Sequence, residues 1–222
     1  MHVIRPSSFD ELVLVWLRSE WERVPEPRPP DRYLVDEPDL SDPDQNSDRE
    51  GLLRRERGKI VDGLPGDFEV YLVDIEQDDL PRVYIVPTFD WYLDTGRTFR
   101  VVDTPGHLRA GRGYQSSQGP VAIQHRQRVD EIAPSFVGYN AATTAEILVV
   151  IAADLAGPYI VIDGTHRSAA LYRHFLTQAN APWRAILALS SDMADSIWHI
   201  RSPEAQASFA ALERAVASGS LW

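Results

Sequence analysis

Asp163-Gly164-Thr165-His166-Arg167-Ser168 sets a carboxylate, two hydroxyls, an imidazole and a guanidinium in one short stretch. Those groups in that order suit the handling of negatively charged oxygen. The residues ahead of them, Tyr159 to Ile162, form a short apolar run with β-branched members, the pattern of a buried strand. The residues behind them read as a helix from about Thr165, with Ala170, Leu171, His174 and Phe175 on one face. Gly164 frees the backbone for a sharp turn between strand and helix. Such a turn brings backbone N–H groups and the positive end of the helix dipole to one point, where negative charge is favoured. Arg167 adds a planar fork that grips phosphate through two bonds. The expectation is an anion site at Gly164, Thr165, His166, Arg167 and Ser168, with Asp163 at its edge.

The succession of strand, Asp-Gly-x-His-Arg and alanine-bearing helix resembles the ParB/sulfiredoxin-like superfamily. The likeness extends from residue 118 to residue 192. Thr143 to Leu155 is similar to the helix that precedes the motif strand, and Trp183 to Leu189 to the strand that follows the motif helix. Members bind nucleotides at this loop, among them chromosome-partitioning CTP clamps, sulfiredoxins and free-serine kinases. Sulfiredoxin chemistry runs through a cysteine, and this chain has none. The clamps carry a DNA-binding domain and a dimerising tail, for which the stretch after Asp192 is too short. The nearest branch is therefore the free-serine-kinase-like one.

That resemblance implies a nucleotide-dependent phosphotransferase acting on a small metabolite, such as an amino-acid hydroxyl. The cofactor implied is ATP, ADP or CTP with Mg. Its phosphates are held by the amides of Gly164, Thr165, His166, Arg167 and Ser168 and by the Arg167 side chain. His166 donates to the oxygen that gains charge, and Asp163 orients His166 or holds the magnesium. Glu131 or Asp130, in the segment from Gln127 to Pro134, is the general base. Two alternatives stay open: a non-catalytic module that binds a nucleotide or phosphometabolite, and a non-kinase enzyme acting on a phosphorylated small molecule.

Bulk composition narrows the classes further. At 222 residues the chain makes one large domain, or a small one with additions, and 44% hydrophobic residues suit a globular core. A net charge of -11 argues against general nucleic-acid binding, which needs a basic face. The absence of cysteine excludes disulfides, thiolate metal sites and cysteine catalysis. No apolar run reaches the ~20 residues of a membrane span, and the N-terminus lacks a basic-then-apolar leader. The expected protein is cytoplasmic, with a small-molecule partner and neither nucleic acid nor membrane.

The elements that position the motif follow from pattern. The fold class expected is α+β: a ParB/sulfiredoxin-like mixed sheet with helices over residues 118–222, preceded by an N-terminal α/β extension over residues 1–117. Residues 8–22 read as an amphipathic helix opened by the capping box Ser8-x-x-Glu11. Pro25 to Glu50, rich in Pro, Asp and Glu, reads as a loop, and Gly51 to Ile60 as a short basic helix. Strands are expected at Phe68–Ile75, Arg82–Val86 and Thr98–Val102, with a hairpin turn at Asp94-Thr95-Gly96. Gly106 to Gly119 reads as a loop and the boundary between the two parts. Val121–Ile123 reads as a strand. Thr143-x-x-Glu146 reads as a capping box opening a helix over Ile147–Leu155. Ser202-Pro203-Glu204 opens a last helix to Ala217, closed by Gly219.

Other motifs carry less. Asp103-Thr-Pro-Gly-His107 is similar to a motif of translational GTPases, but the chain lacks the phosphate-cradling loop such an enzyme needs. Its only lysine, Lys59, has neither the glycine spacing nor the following Ser or Thr. His107, His125 and His166 make a metal site only if the fold gathers them, since their spacing matches no ligand pattern. No Gly-x-Ser-x-Gly elbow is present.

Overall fold

The computed structural model describes residues 1–21, 30–108, 112–116, 119–123, 125–136, 147–176 and 182–219. It is an α+β fold built on a six-stranded mixed sheet. From the N-terminus come β1 (His2–Pro6), α1 (Phe9–Trp21), α2 (Tyr33–Asp36), α3 (Pro43–Val61), β2 (Glu69–Ile75), β3 (Val83–Ile85), α4 (Phe89–Asp94) and α5 (Thr104–His107). Then follow β4 (Arg112–Ser116), β5 (Gly119–Ile123), α6 (His125–Ile132), β6 (Leu148–Ala152), β7 (Tyr159–Asp163), α7 (Thr165–Phe175), β8 (Trp183–Leu189) and α8 (Pro203–Ala217). The large sheet runs β1-β2-β8-β6-β7-β3, and β4 and β5 form a separate antiparallel pair.

Every residue of β6 and β7 is buried. Strands apolar on both faces must be covered on both, which puts them near the centre of the sheet. β8 runs parallel to β6 and antiparallel to β2, while β7 runs antiparallel to β6 and parallel to β3. The end of β7, where the Asp163 turn begins, therefore issues from the middle of the fold. Helix α1 is apolar almost all round: Leu12 to Leu17 are buried without a break, as are Ser19, Glu20 and Trp21. Such a helix needs cover on more than one side, and it packs against α3 as well as β6 and β8.

Strands β1, β2 and β3 share this sheet with β6, β7 and β8, and one continuous hydrophobic core joins them. The boundary drawn at residues 117/118 therefore runs through a single sheet and core. The segment from Ile147 to Leu155, expected to be helical, contains strand β6. Leu148-Val-Val-Ile-Ala is short and β-branched, and a slot between β7 and β8 decides its state over helical periodicity. The capping box at Thr143–Glu146 lies outside the described residues.

Asp94-Thr95-Gly96 is no hairpin turn. It closes α4 with two reverse bonds, Arg97 N to Tyr92 O at 2.7 Å and Gly96 N to Leu93 O at 3.2 Å. Gly96, at φ +62°, takes the left-handed position of that helix stop. Thr98–Val102 is likewise not a strand, because Phe99 at φ +57° breaks the extension. A lone bridge joins Tyr84 to Arg100, and a 3-10 turn follows at Val101–Asp103. The span expected as a loop from Gly106 includes the end of α5 and all of β4. In the GTPase-like motif Asp103 accepts from Thr98 Oγ1 at 2.7 Å, and Thr104 donates to Val101 O.

The described part of the acidic stretch, from Pro30 to Glu50, is largely helical. It holds a 3-10 turn, α2 and the first turns of α3. Asp42 caps α3 by accepting from Asp44 N and Gln45 N, with Pro43 at the first helical position. Sequence reasoning passed over that cap because few apolar residues follow it. Arg49 supplies what the apolar residues do not. Fully buried, it donates to Leu34 O at 3.1 Å, Asp39 O at 3.0 Å and the side chains of Gln45 and Asn46. We expect Arg49→Met to destabilise the fold by about 2 kcal/mol or more, since bonds from a charged donor are lost and two carbonyls are left unpaired. Thermal melts should show a fall of roughly 4–8 °C. Hydrogen exchange should quicken first between Leu34 and Asp42.

Candidate functional site

The turn after β7 is dictated by packing. Gly164 sits at φ +83°, and a Cβ there would stand 2.5 Å from Leu148 Cδ2. Glycine alone fits. Helix α7 then starts, with Ser168 N donating to Gly164 O at 2.7 Å. Successive residues on a helix diverge by roughly 100°, so neighbours at this turn face different parts of the protein.

Asp163 and Arg167 face α1. Arg167 Nη2 donates to Asp163 Oδ2 and to Ser19 Oγ, both at 2.8 Å. The guanidinium also folds back over Gly164, 3.1 Å from where a Cβ would lie. The Asp163–Arg167 pair is nearly closed from water, with side-chain exposures of 5% and 11%. Beside it α3 kinks at Arg57, whose φ of -132° and ψ of 23° leave the helical range. The kink lays its guanidinium on Glu20 with two bonds of 2.8 and 2.7 Å. The Arg57 pKa is raised, first by the bond to Glu20 and against burial, then by the charges of Glu20 and Asp163. Four alternating charges, Glu20, Arg57, Asp163 and Arg167, thus join α1, α3 and the start of α7.

On the α1 side of Arg167 opens a cavity of about 270 Å³. Arg18, Ser19 and Trp21 of α1, Arg32 and Asp36 around α2, and Arg167 itself are in its wall. The sequence signalled Arg167 alone. Arg18 and Arg32 lie far off in the chain, and only the packing of α1 and α2 against α7 brings them together.

His166 faces the other way, toward α4 and α6. Its ring lies 5.1 Å from Trp91 and 5.0 Å, edge-on, from His125. Trp91 stacks on His125 at 4.0 Å and 16°. His125 Nδ1 donates to Asp94 Oδ2 at 3.1 Å, and its Nε2 faces Asp90 Oδ2 at 3.4 Å. Thr88 Oγ1 also donates to Asp90. A ring with a carboxylate at each nitrogen is satisfied only as the imidazolium. Burial pushes the His125 pKa down, but the bonds and charges of Asp90 and Asp94 outweigh it and hold it raised. Burial likewise pushes Asp90 up, and His125 with Thr88 overcomes it to hold Asp90 below the usual carboxylate range. Asp90-x-x-x-Asp94 has the spacing that puts two carboxylates on one helical face. That signal was obscured by reading Asp94 as part of a turn.

The other expected site residues fall as follows. Thr165 opens α7 and is half-buried. Ser168 is buried, and its hydroxyl donates to Thr165 O at 2.8 Å, so it serves the helix's own first turn. Asp130 accepts from Arg173 of α7 and lies 3.8 Å from Arg126. Glu131 pairs with Arg128 at 3.2 Å and accepts from Gln127 at 3.0 Å. Both carboxylates are exposed on α6. Arg173 stands roughly 10 Å along α7 from His166, so Asp130 is set well down the helix from the turn. The fold gathers His125 and His166, while the His107 ring packs on Gly96. Among the described residues no group of three His, Asp or Glu is placed to hold a metal ion. Nor is any described helix long and apolar enough to cross a membrane.

Comparison with protein-family models, with curated proteins and with solved structures gives no match.

The raised pKa of His125 has a stability consequence. Its contribution is complete below the unfolded-state value of about 6.5 and is lost as pH rises through the raised folded value. Asp90 acts in the opposite sense, contributing above its unfolded value of 3.8 and losing it as pH falls through the depressed folded one. We expect the native chain to out-melt His125→Gln most clearly at about pH 6, with the gap narrowing toward about pH 9. Paired melts across that range check this; a constant gap would show that the charge of His125 is not what holds α4 to α6.

Proposed function

We propose that this protein binds a phosphate-bearing small molecule, a nucleotide or a phosphorylated metabolite, beside the first turn of α7. The observation that carries this reading is the cavity on which Arg18, Arg32 and Arg167 converge. In a chain of net charge -11, three guanidiniums on one wall run against the overall balance. Arg32 is offset by Asp36 at 2.7 Å and Arg167 by Asp163. Positive charge remains in excess, and an anionic guest completes it. Guanidinium forks match the oxygens of phosphate better than any other side chain does.

The resemblance to the ParB/sulfiredoxin-like superfamily supports the same turn. It extends the proposal to phosphoryl transfer from a nucleotide, with Mg, to a small-molecule hydroxyl. In that step the bond from phosphorus to the nucleotide's leaving oxygen breaks and a bond to the hydroxyl oxygen forms. The hydroxyl proton passes to a base. Asp130 and Glu131 are engaged on α6 and His166 faces away from the cavity, so within this reading Asp36, the carboxylate in the described wall, is the group placed to take that proton. Position and charge stabilisation are most of what phosphoryl transfer asks of a protein.

Calorimetric titration with ATP, ADP, CTP and glycerol 3-phosphate tests the binding. Arg167→Ala should weaken it at least tenfold, the roughly 1.5–3 kcal/mol of a charge-assisted contact. Arg167→Lys, which keeps the charge and loses the fork, should fall between. Circular dichroism confirms that each variant is folded. Incubation of a binding nucleotide with Mg and a pool of hydroxyl metabolites should give turnover only when the acceptor is present. No binding of any of the four compounds to the folded protein would end the reading.

A further inference from the structure

We propose that the guest of the arginine cavity is a compact phosphate monoester, a phosphorylated metabolite of a few carbons, and that Arg18 and Arg32 select it over a nucleotide. This rests on the phosphate-binding reading above and adds the class of ligand.

Three observations point the same way. The first is size. A cavity of about 270 Å³ lies below the range of roughly 300–1,000 Å³ typical of drug-sized ligands. A phosphate with a short carbon chain fills it, whereas a nucleoside phosphate leaves its base and sugar outside.

The second is the wall. A nucleobase is ordinarily held by stacking on an exposed aromatic face. Among the described residues the aromatic in this wall is Trp21, and it is 6% exposed. Its ring is committed to the core and offers no platform. The other apolar members, Val15, Val35 and Ile147, are small and suit a short aliphatic chain.

The third is charge. Among the described residues the wall holds Arg18, Arg32 and Arg167; Asp36 offsets Arg32 and Asp163 offsets Arg167, which leaves Arg18 in excess. A phosphate monoester carries close to two negative charges at neutral pH, its second ionisation lying near pH 6. Arg18 makes no ion pair within 4.0 Å among the described residues, so it is the cation left for the guest. Asp36, half-exposed at 48% of its side chain, accepts from a hydroxyl or ammonium on the carbon end of the ester. α1, which carries Arg18, and the 3-10 turn before α2, which carries Arg32, stand outside the region of superfamily resemblance. The selectivity is therefore a property of this chain's own N-terminal elements.

The experiment is calorimetry on the full chain with glycerol 3-phosphate, inorganic phosphate and ATP, repeated for Arg18→Ala and Arg32→Ala. Glycerol 3-phosphate should bind more tightly than either of the others. Each substitution should weaken it at least tenfold while the melting temperature stays close to that of the native chain. Tighter binding of ATP overturns the inference, as does equal affinity for inorganic phosphate and the ester. ATP binding that depends on Arg167 but not on Arg18 or Arg32 overturns it too, while leaving the phosphate-binding reading intact. If none of the three ligands binds, both fall together.

Discussion

A buried carboxylate–guanidinium pair, Asp163 with Arg167, sets the terms for everything around it. Both groups are almost wholly removed from water. Two charges in that position are tolerated only while they satisfy each other, and removing either leaves an uncompensated charge in the interior. The pair spans the strand-to-helix turn at i, i+4, so it holds the first turn of α7 against the end of β7. Ser19 adds a bond from α1, and Glu20 with Arg57 continues the alternation of charge into α3. The interior departure of α3 from helical geometry falls at Arg57, where its side chain must reach that row.

Fixing Arg167 toward α1 also fixes where its neighbour points. One residue of helix rotation sends His166 to the opposite side, among Trp91, His125 and the carboxylates of α4. The first turn of α7 therefore separates two environments. One is a cationic cavity, the other a packed histidine pair beside a charged clamp. Neither group at the turn drifts freely, because each is held by elements distant in sequence. A site that must place charge to within fractions of an ångström needs that kind of support.

Commitment of Arg167 to Asp163 does not remove it from ligand chemistry. A guanidinium has five N–H donors, and one carboxylate does not exhaust them. The arrangement does mean that Arg167 acts first as a structural cation. Within the proposed phosphate-binding reading, selectivity then falls to Arg18 and Arg32, which line the cavity. In that reading the division suits a protein whose overall charge is strongly negative, since it sets the attraction for anions in a concave place.

Much of the scaffold could be read directly from the chain. Ser8, accepting from Glu11 N, opened α1, Pro203 opened α8, and the apolar runs at Tyr159–Ile162 and Trp183–Leu189 became β7 and β8. In each, local pattern and tertiary burial demand the same state. They disagree at Leu148–Ala152, where a place between two strands overrides helical spacing, and at Asp94–Gly96, where turn chemistry closes a helix instead of a hairpin. Local chemistry alone thus determined that Gly164 makes a turn and that an imidazole and a guanidinium follow it. Only the tertiary structure decided that Arg167 would share a cavity wall with Arg18 and Arg32, and that His166 would meet His125. Those partners are separated by many residues, and no period or propensity encodes a meeting that depends on how α1, α2, α4 and α6 close around one helix.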